Sequence, residues 1–225
     1  MNAVVVVSSQ CPFWNDLTNE EKVSVLKSAQ VEKLKKGEEV SSYGAIFLTK
    51  GLIRGYVITE EGKELTIGHL LPGDIGVMPC AEATQDLQFE VSLEASENVE
   101  FVKIPLSVME NLQARNPKVA MFILRVAAQR YVQAINTMQT AMSKSLEARI
   151  AEYLYFRSES NDNLVLKLTH EDIARCISSS REVVTKEMKK MVAAGLVELR
   201  RGVVIIKDIR KLQNVLDTGR YSLAG

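Results

Sequence analysis

The spacing of apolar residues changes abruptly at Pro105, and this change constrains the fold more than any other feature of the 225-residue sequence. Before it, from Lys35 to Ile104, short β-rich runs are separated by glycines at roughly regular intervals, which is typical of an antiparallel jelly-roll or barrel. After it the apolar residues follow a helical period. The sequence therefore predicts an α+β protein with an antiparallel β-roll followed by a largely helical half. Ahead of the β-roll, Thr18 and Glu21 form a capping-box pattern that predicts a short opening helix.

From Met121 onward, apolar residues recur alternately every three and four positions over three heptads, the spacing of a coiled-coil seam. The seam consists of Met121, Leu124, Ala128, Tyr131, Ile135, Met138 and Met142. The alternative is a helix packed only on its own β-domain, and other residues such as Phe122 and Val126 could make that contact. A long helix with two apolar faces would do both, so we predict a homodimer.

The last third reads as helix, turn, helix and β-hairpin, the order of a winged helix-turn-helix. The helix "LEARIAEYLYF" follows a hinge at 143–145, and "THEDIARCI" opens with Thr169 and Asp172 in capping spacing. After the turn "SSS" a second helix ends near Gly195, and two β runs are joined at 200–202. We predict a β-roll sensor domain with its N-terminal helix at 1–116, a dimerisation helix and hinge at 117–144, and a DNA-binding domain at 145–225.

A helix that begins near Ser180 places Val184, Met188 and Met191 on one face, where they can pack on the preceding helices. The opposite face carries Arg181, Glu182, Thr185, Lys186 and Lys189. The first turns of a recognition helix meet base edges, where arginine bridges guanine O6 and N7 and glutamate accepts from the cytosine amino group. We assign base reading to Arg181, Glu182, Thr185 and Lys186, although Lys186 could equally contact a phosphate. The alternative for Glu182 is a capping box with Ser179.

Backbone contacts are predicted for basic and hydroxyl side chains around this helix and at the hairpin tip. They are Thr169, Ser179, Ser180, Lys189, Arg200 and Arg201. The alternative for each basic residue is a solvated surface charge, and the hydroxyls can also cap their helices. The formal net charge of zero hides a local excess of basic residues between Arg175 and Lys211, which suggests a contact with a polyanion.

The three cysteines, Cys11, Cys80 and Cys176, are widely spaced and odd in number, which favours neither a disulfide framework nor a zinc ribbon. The N-terminus lacks the basic start and apolar length of a signal peptide, and no apolar run is long enough for a membrane span. We therefore expect a cytoplasmic protein without a membrane partner. With two distant histidines and no nucleophile–base pair, no enzyme is expected.

The segment "LTHEDIARCISSSREVVTKEMKKMVAAGLVELRRGVVIIKD" resembles the winged helix of the CRP/FNR regulators. The runs "KKGEEV", "LTKGLIRGYV" and "EEGKELTIGHLLPGDIG" and the seam helix are similar to that family's β-roll and dimer helix, so the resemblance covers nearly the whole chain. It implies that Arg181 and Glu182 are a base-reading pair. Lys186 stands where the family has a further arginine, and lysine cannot make arginine's bidentate contact, so the preferred half-site should differ.

The resemblance also implies a sensor, but the residues of the best-known sensors are missing. Cyclic-nucleotide-binding members have an arginine for the cyclic phosphate where this chain has Phe89 and Glu90, and a hydroxyl pair near Ala134 and Ile135, so cyclic AMP is not expected. An iron–sulfur cluster usually needs four thiolates, and this chain has one cysteine near its start. Haem is still a candidate cofactor because its possible ligands His69 and Cys80 flank "LLPGD", although a strand histidine with satisfied hydrogen bonds is the simpler interpretation of His69.

The effector is therefore unknown, and its pocket is assigned to the loop after Met78 and the facing part of the seam helix. The candidate residues are Cys80, Phe89, Glu90, Tyr131 and Ile135. Cys80 suggests a thiol switch or a soft-ligand contact, against the alternative of a spare thiol, whereas Cys176 is expected in the core. The predicted function is a homodimeric regulator on double-stranded DNA, with RNA polymerase as a further candidate partner. The alternative is a regulatory module whose winged helix contacts a protein.

Overall fold

The structure is a computed structural model that describes residues 3–40, 44–78, 91–161 and 163–218. The chain divides into two compact units. The first comprises Met1–Lys63 and Ile67–Ile135, and the second comprises Glu64–Thr66 and Asn136–Gly225. No helix within these ranges is both long and apolar enough to cross a membrane.

The first unit is built on two antiparallel sheets. Its strands are β1 (Gln30–Leu34), β2 (Gly44–Lys50), β3 (Ile53–Ile58), β4 (Glu64–Leu70), β5 (Ile75–Met78), β6 (Val91–Ala95) and β7 (Val99–Pro105). One sheet has the order β1-β7-β2-β5 and the other β4-β3-β6. Side chains from both sheets, among them Ile46, Ile53 and Phe101, are fully buried between them. The predicted antiparallel β-roll is confirmed.

The first strand lies earlier than the sequence predicts. It runs over Gln30–Leu34 and pairs with β7, whereas the predicted β run from Lys35 to Val40 holds only an isolated bridge between Glu39 and Glu94. The predicted position was wrong because Gly37, at a φ of 87°, turns the chain just after β1.

Helices cover the outer face of the four-stranded sheet. They are α1 (Ala3–Gln10), α2 (Asn19–Ser28), α3 (Leu106–Arg115) and α4 (Pro117–Ser143), with a short 3-10 turn at Trp14–Asp16. Thr18 and Glu21 form the predicted capping box at the start of α2. The valine-rich α1 had no helical signal in the sequence; it forms because Val6 and Val7 are buried in the cluster beneath it.

The second unit has the predicted winged helix-turn-helix. It contains α5 (Leu146–Asn161), β8 (Val165–Leu166), α6 (His170–Cys176), α7 (Arg181–Ala193), β9 (Val197–Arg200), β10 (Val203–Ile206) and α8 (Ile209–Thr218). The strands form an antiparallel sheet in the order β8-β10-β9. One core joins all these elements, and Cys176 lies in it as expected. The break between α4 and α5 falls at the predicted hinge.

Candidate nucleic-acid interface

The turn between α6 and α7 sets the direction of the recognition helix. α6 ends in a Schellman motif, in which Ser179 N donates to Ala174 O at 2.9 Å and Ser178 N donates to Arg175 O at 3.3 Å. Ser178 takes a φ of 52°, the left-handed conformation that this motif requires and that glycine adopts most easily. The Arg149 guanidinium of α5 donates from Nη1 to Ile177 O at 3.1 Å and so holds the turn from below. The sequence pattern did not reveal this role of Arg149.

α7 has one buried face and one exposed face, as its sequence predicts. Val184, Met188 and Met191 are fully buried. The exposed face carries Arg181, Glu182, Lys186 and Lys189, with Thr185 half-buried at its edge. The side chains predicted to read bases therefore lie together on the accessible side of the first turns.

The charges of this face have no partner within the described parts of the chain. Arg181, Glu182, Lys186 and Lys189 make no side-chain hydrogen bond or ion pair with any part of the chain that the structure describes. By contrast Lys190, just behind them, pairs with Glu187 at 2.8 Å, and this bond raises the pKa of Lys190. An unpaired guanidinium and carboxylate at a helix start are suited to external partners.

The helix cap decides between the two interpretations of Glu182. The N-cap of α7 is Ser180, whose hydroxyl accepts from Val183 N at 3.4 Å. A capping box between Ser179 and Glu182 is not formed, because the helix begins one residue later than that box requires. The capping alternative was wrong, and the Glu182 carboxylate is left for another partner.

Thr185 is held within the protein more firmly than expected. Its hydroxyl donates to Arg181 O at 2.7 Å and lies 2.9 Å from Nδ1 of His170, the first residue of α6. Burial lowers the pKa of His170, and the positive charges of Arg181 and Lys189 lower it further. The sequence predicted the capping of α6 by Thr169 and Asp172, but it gave no signal for the contact of His170 with Thr185, fifteen residues along the chain.

The hydroxyls predicted to contact the DNA backbone also cap helices. Thr169 Oγ1 accepts from Asp172 N at 3.1 Å, and the Asp172 carboxylate accepts from Thr169 N at 2.8 Å, which is the predicted capping box of α6. Thr169 and Ser180 are nevertheless exposed, and Ser179 is half-buried. Their phosphate contacts stay predictions.

The wing presents a basic tip. Arg200 and Val203 face each other across the hairpin, so the tip is the two-residue turn Arg201–Gly202. Arg200 Nε pairs with Glu198 Oε1 at 2.8 Å, and this pair lowers the pKa of Glu198. Arg201 is exposed and makes no ion pair with the described residues. The wing therefore offers Arg201 freely and Arg200 only in competition with a surface ion pair.

The predicted seam is an exposed apolar stripe along α4. Met121, Leu124, Tyr131, Ile135 and Met138 are between 45% and 69% exposed, and Ala128 is exposed with them. The Met142 side chain lies outside the described residues. The opposite side of α4 packs on the first unit's core through Val119 and Phe122, and the Phe122 ring lies 4.9 Å from that of Phe13. Val126, one turn further along α4, is also buried. α4 thus has the two apolar faces that its sequence predicts.

α4 is also tied to the β-roll by polar side chains. Arg130 donates from Nη1 to His69 O at 3.2 Å and from Nη2 to Ile75 O at 3.1 Å. Gln133 Nε2 donates to the same His69 carbonyl at 3.0 Å, and Gly68 leaves room for the Gln133 side chain. These bonds fix α4 against the turn that leads into β5.

The predicted effector pocket is only partly visible. Cys80, Phe89 and Glu90 lie outside the described residues, and Tyr131 and Ile135 are exposed on α4. Within the described ranges, no group of three or more His, Cys, Asp or Glu side chains is placed to hold a metal ion. The expectations about cyclic AMP, an iron–sulfur cluster and haem stay predictions.

Comparisons with known proteins agree with this architecture. A family profile described as the Crp-like helix-turn-helix domain matches residues 148–215. The solved structure of a Crp/Fnr-family transcriptional regulator from Eubacterium rectale is 27% identical and superimposes with a TM-score of 0.84, covering 93% of this chain and 100% of that chain. Together these findings support a transcription regulator of the CRP/FNR family.

Curated relatives of this CRP/FNR regulator have related names. Electron transport regulator A of Shewanella oneidensis is 26% identical, over 90% of this chain and 81% of that protein. The fumarate and nitrate reduction regulatory protein of Vibrio cholerae is 24% identical, over 85% of this chain and 77% of that protein. The CRP/FNR regulator described here is accordingly a DNA-binding transcription regulator that acts on double-stranded DNA, and it is not an enzyme.

Proposed function

We propose that this regulator binds an inverted-repeat operator as a homodimer, with one α7 in the major groove of each half-site. The observation that carries the proposal is the exposed Arg181–Glu182 pair, whose charges have no partner in the described chain. A two-fold protein reads a two-fold site, so the half-site centres should lie roughly 34 Å apart, one helical turn of DNA.

The residues of α7 differ in what they can read. The Arg181 guanidinium can bridge O6 and N7 of one guanine, and the Glu182 carboxylate can accept from a cytosine amino group. Lys186 offers a single ammonium, which is less selective than a planar guanidinium. The Thr185 hydroxyl proton is given to Arg181 O, so this side chain can only accept a hydrogen bond or present its methyl group to a base. Most of the sequence preference should therefore come from Arg181 and Glu182.

Phosphate contacts would position this helix. Lys189 in the third turn of α7, Arg201 at the wing tip and Arg200 beside it supply positive charge. The exposed caps Thr169 and Ser180, together with Ser179, supply hydroxyls. Such contacts fix the orientation of a protein on the duplex without reading its sequence.

The homodimer is supported by the apolar stripe on α4. Large side chains spaced at three and four residues are exposed from Met121 to Met138, and contiguous apolar surface of this kind is rare on a monomer. In the dimer, residues 117–144 would join two β-roll sensors, residues 1–116, to two DNA-binding domains, residues 145–225. The protein would work in the cytoplasm, with RNA polymerase as a further partner.

Regulation would act through a population shift. An effector, or the thiol state of Cys80, would favour one arrangement of the DNA-binding domains over another, and DNA affinity would change by the difference in binding free energy between them. The pocket residues would be Cys80, Phe89, Glu90, Tyr131 and Ile135, and the Arg130–Gln133 contacts with β4 and β5 support a link between this region and α4.

A selection from random duplex DNA tests the operator. We expect an enriched inverted repeat, and we expect the reduced and mildly oxidised proteins to differ if Cys80 is the sensor. Selection of the same repeat by the reduced and the oxidised protein would exclude the thiol switch. Enrichment of a single half-site or a direct repeat would contradict the proposed symmetry.

Two variants separate base reading from phosphate binding. Arg181→Ala should cost about 1–3 kcal/mol on the selected operator and relax the preference at one base pair of each half-site. Lys189→Ala should weaken operator and random DNA alike and reduce the slope of log K against log salt by about one for each phosphate that the protein no longer neutralises. The assignment of Arg181 fails if its replacement weakens both DNAs equally.

The dimer is tested at the seam with a matched surface control. Leu124→Glu places a charge in the stripe and should yield a monomer by light scattering at concentrations where the parent chain is dimeric, together with a weaker operator affinity. Ile58→Glu changes an apolar side chain of similar exposure on β3, outside the stripe, and should leave the mass unchanged. A Leu124→Glu protein that is still dimeric would refute the seam.

A further inference from the structure

His170 is fixed to the recognition helix by a contact whose donor and acceptor can be assigned. Its Nδ1 lies 2.9 Å from Thr185 Oγ1, and the same hydroxyl lies 2.7 Å from Arg181 O. A carbonyl oxygen can only accept, so the single hydroxyl proton of Thr185 goes to Arg181 O. Thr185 Oγ1 must then accept from His170, which places a proton on Nδ1. Nε2 is therefore the ring atom that gains or loses a proton.

The surroundings of the ring oppose its protonation in the free protein. Partial burial, and then the positive charges of Arg181 and Lys189 from α7, hold the pKa of His170 below its usual value. The acids of its own helix are engaged elsewhere. Glu171 lies 3.8 Å from the Arg175 guanidinium, and Asp172 caps the helix through Thr169. At neutral pH the free protein therefore carries a neutral His170.

Nε2 is positioned for an outside partner. The ring is half-buried, and Nε2 makes no hydrogen bond with any residue that the structure describes. The ring is close enough to Arg181 and Lys189, the cations of the face proposed to meet DNA, for their charges to lower its pKa. A phosphate that neutralises these cations would come close to the ring, where an unprotonated nitrogen could only repel it and an N–H could donate to it.

We propose that His170 is a further contact of the DNA interface, which takes up a proton when DNA binds and donates Nε2–H to a backbone phosphate. The proposal rests on the proposed placement of α7 against DNA. Protonation leaves the Nδ1–H bond to Thr185 unchanged, so the ring keeps its position while its charge changes. Since the complex binds more protons than the free protein, DNA affinity rises as the pH falls.

The size of the effect follows from the shift that DNA causes at the ring. Each unit by which the His170 pKa is higher in the DNA complex than in the free protein corresponds to about a tenfold gain in DNA affinity per protomer, between the high-pH and low-pH limits. With two protomers on one operator the limit is about a hundredfold per unit. Arg181 and Lys189, whose charges DNA neutralises, and the added phosphate charge act in the same direction.

The first test measures DNA affinity between pH 6 and 8.5 at matched ionic strength, with a label that does not titrate in this range. The full-length protein should bind more tightly at low pH. His170→Asn keeps an N–H that can donate to Thr185 and removes the titrating atom, so its affinity should match the parent at pH 8.5 and stay flat as the pH falls. A pH dependence in this variant equal to that of the parent would overturn the proposal.

The second test observes the ring directly. The chain has only two histidines, so the His170 ring signal in an NMR titration is assigned by its disappearance in His170→Asn. We expect the His170 pKa to be higher in the DNA complex than in the free protein, and an equal or lower value would overturn the proposal.

Both tests are repeated on a random duplex of the same length, because phosphates are common to every sequence. Proton uptake without operator preference would support His170 and count against the proposed half-site reading. Operator preference without proton uptake would support the proposed half-site reading and count against the proposed role of His170.

Discussion

Replacing Ser178 with glycine should leave the helix-turn-helix more stable than replacing it with alanine. Ser178 holds the left-handed position of the Schellman motif that ends α6, at a φ of 52°, while Gly195 holds the same position after α7, at a φ of 70°. A side chain in this region costs about 1–2 kcal/mol relative to glycine, and the greater freedom of glycine in the unfolded chain returns about 0.4–1 kcal/mol. Both Ser178→Gly and Ser178→Ala lose the hydroxyl oxygen that accepts from Thr66 N at 3.0 Å, so Ser178→Gly should be about 0.5–1 kcal/mol more stable than Ser178→Ala.

Gly195→Ser is the converse change and should destabilise by a similar amount. A Cβ at Gly195 would have no other atom within 4 Å, so only the backbone conformation opposes it. Ser178→Ala removes the hydroxyl and keeps the left-handed residue. The difference between the glycine and alanine variants at 178 therefore isolates the backbone contribution.

Native-state hydrogen exchange in the full-length chain is the appropriate assay, because it reports the opening of each unit separately. The single tryptophan, Trp14, lies in the first unit and would not report this change. Amides at Met188 and Met191 should exchange roughly twofold to fivefold more slowly in Ser178→Gly than in Ser178→Ala, the ratio that corresponds to about 0.5–1 kcal/mol. Equal or faster exchange in the glycine variant would refute the reasoning.

Two further predictions concern the first unit. A Cβ at Gly68 would lie 2.9 Å from the Gln133 side chain, so Gly68→Ala should break the Gln133 hydrogen bond to His69 O. The change should lower the free energy of unfolding by about 0.5–1.5 kcal/mol, measured by Trp14 fluorescence in urea. The loss should be clearly smaller in a Gln133→Ala background. Burial raises the pKa of Cys11 to about 12, so at pH 8 its thiol stays protonated in the folded chain. Iodoacetamide should therefore label Cys11 only as fast as the first unit opens, as followed by peptide mass mapping. Labelling of the native protein at the rate seen in urea would contradict this.

The sequence predicted those parts of the molecule that depend on neighbours along the chain. The capping boxes at Thr18 and Thr169 form as expected, since they involve only residues three positions apart. The two faces of α4 and of α7 follow from helical period, which by itself decides which side chains share a side. The order of the β-roll, the long helix and the winged helix-turn-helix, and the exposed Arg181–Glu182 pair, could accordingly be predicted from the sequence.

The local sequence pattern could not decide between structural alternatives that differ by one residue. Ser179 and Ser180 are both good caps, and only the path of the turn, with its left-handed Ser178, places the cap at Ser180. Likewise α1 is rich in valine, which favours strands, and its burial against the four-stranded sheet outweighs that preference.

The sequence by itself determined the order of the β-roll, the long helix and the winged helix-turn-helix, the capping boxes at Thr18 and Thr169, and which side chains share a face of α4 and of α7. Only the tertiary structure decided which distant groups meet: Arg149 with the turn at Ile177, and His170 with Thr185. The physical reason is that period and capping act over one or two helical turns, whereas such hydrogen bonds depend on how whole elements pack. The proposed proton-linked contact with DNA therefore became visible only once α6 and α7 were placed side by side.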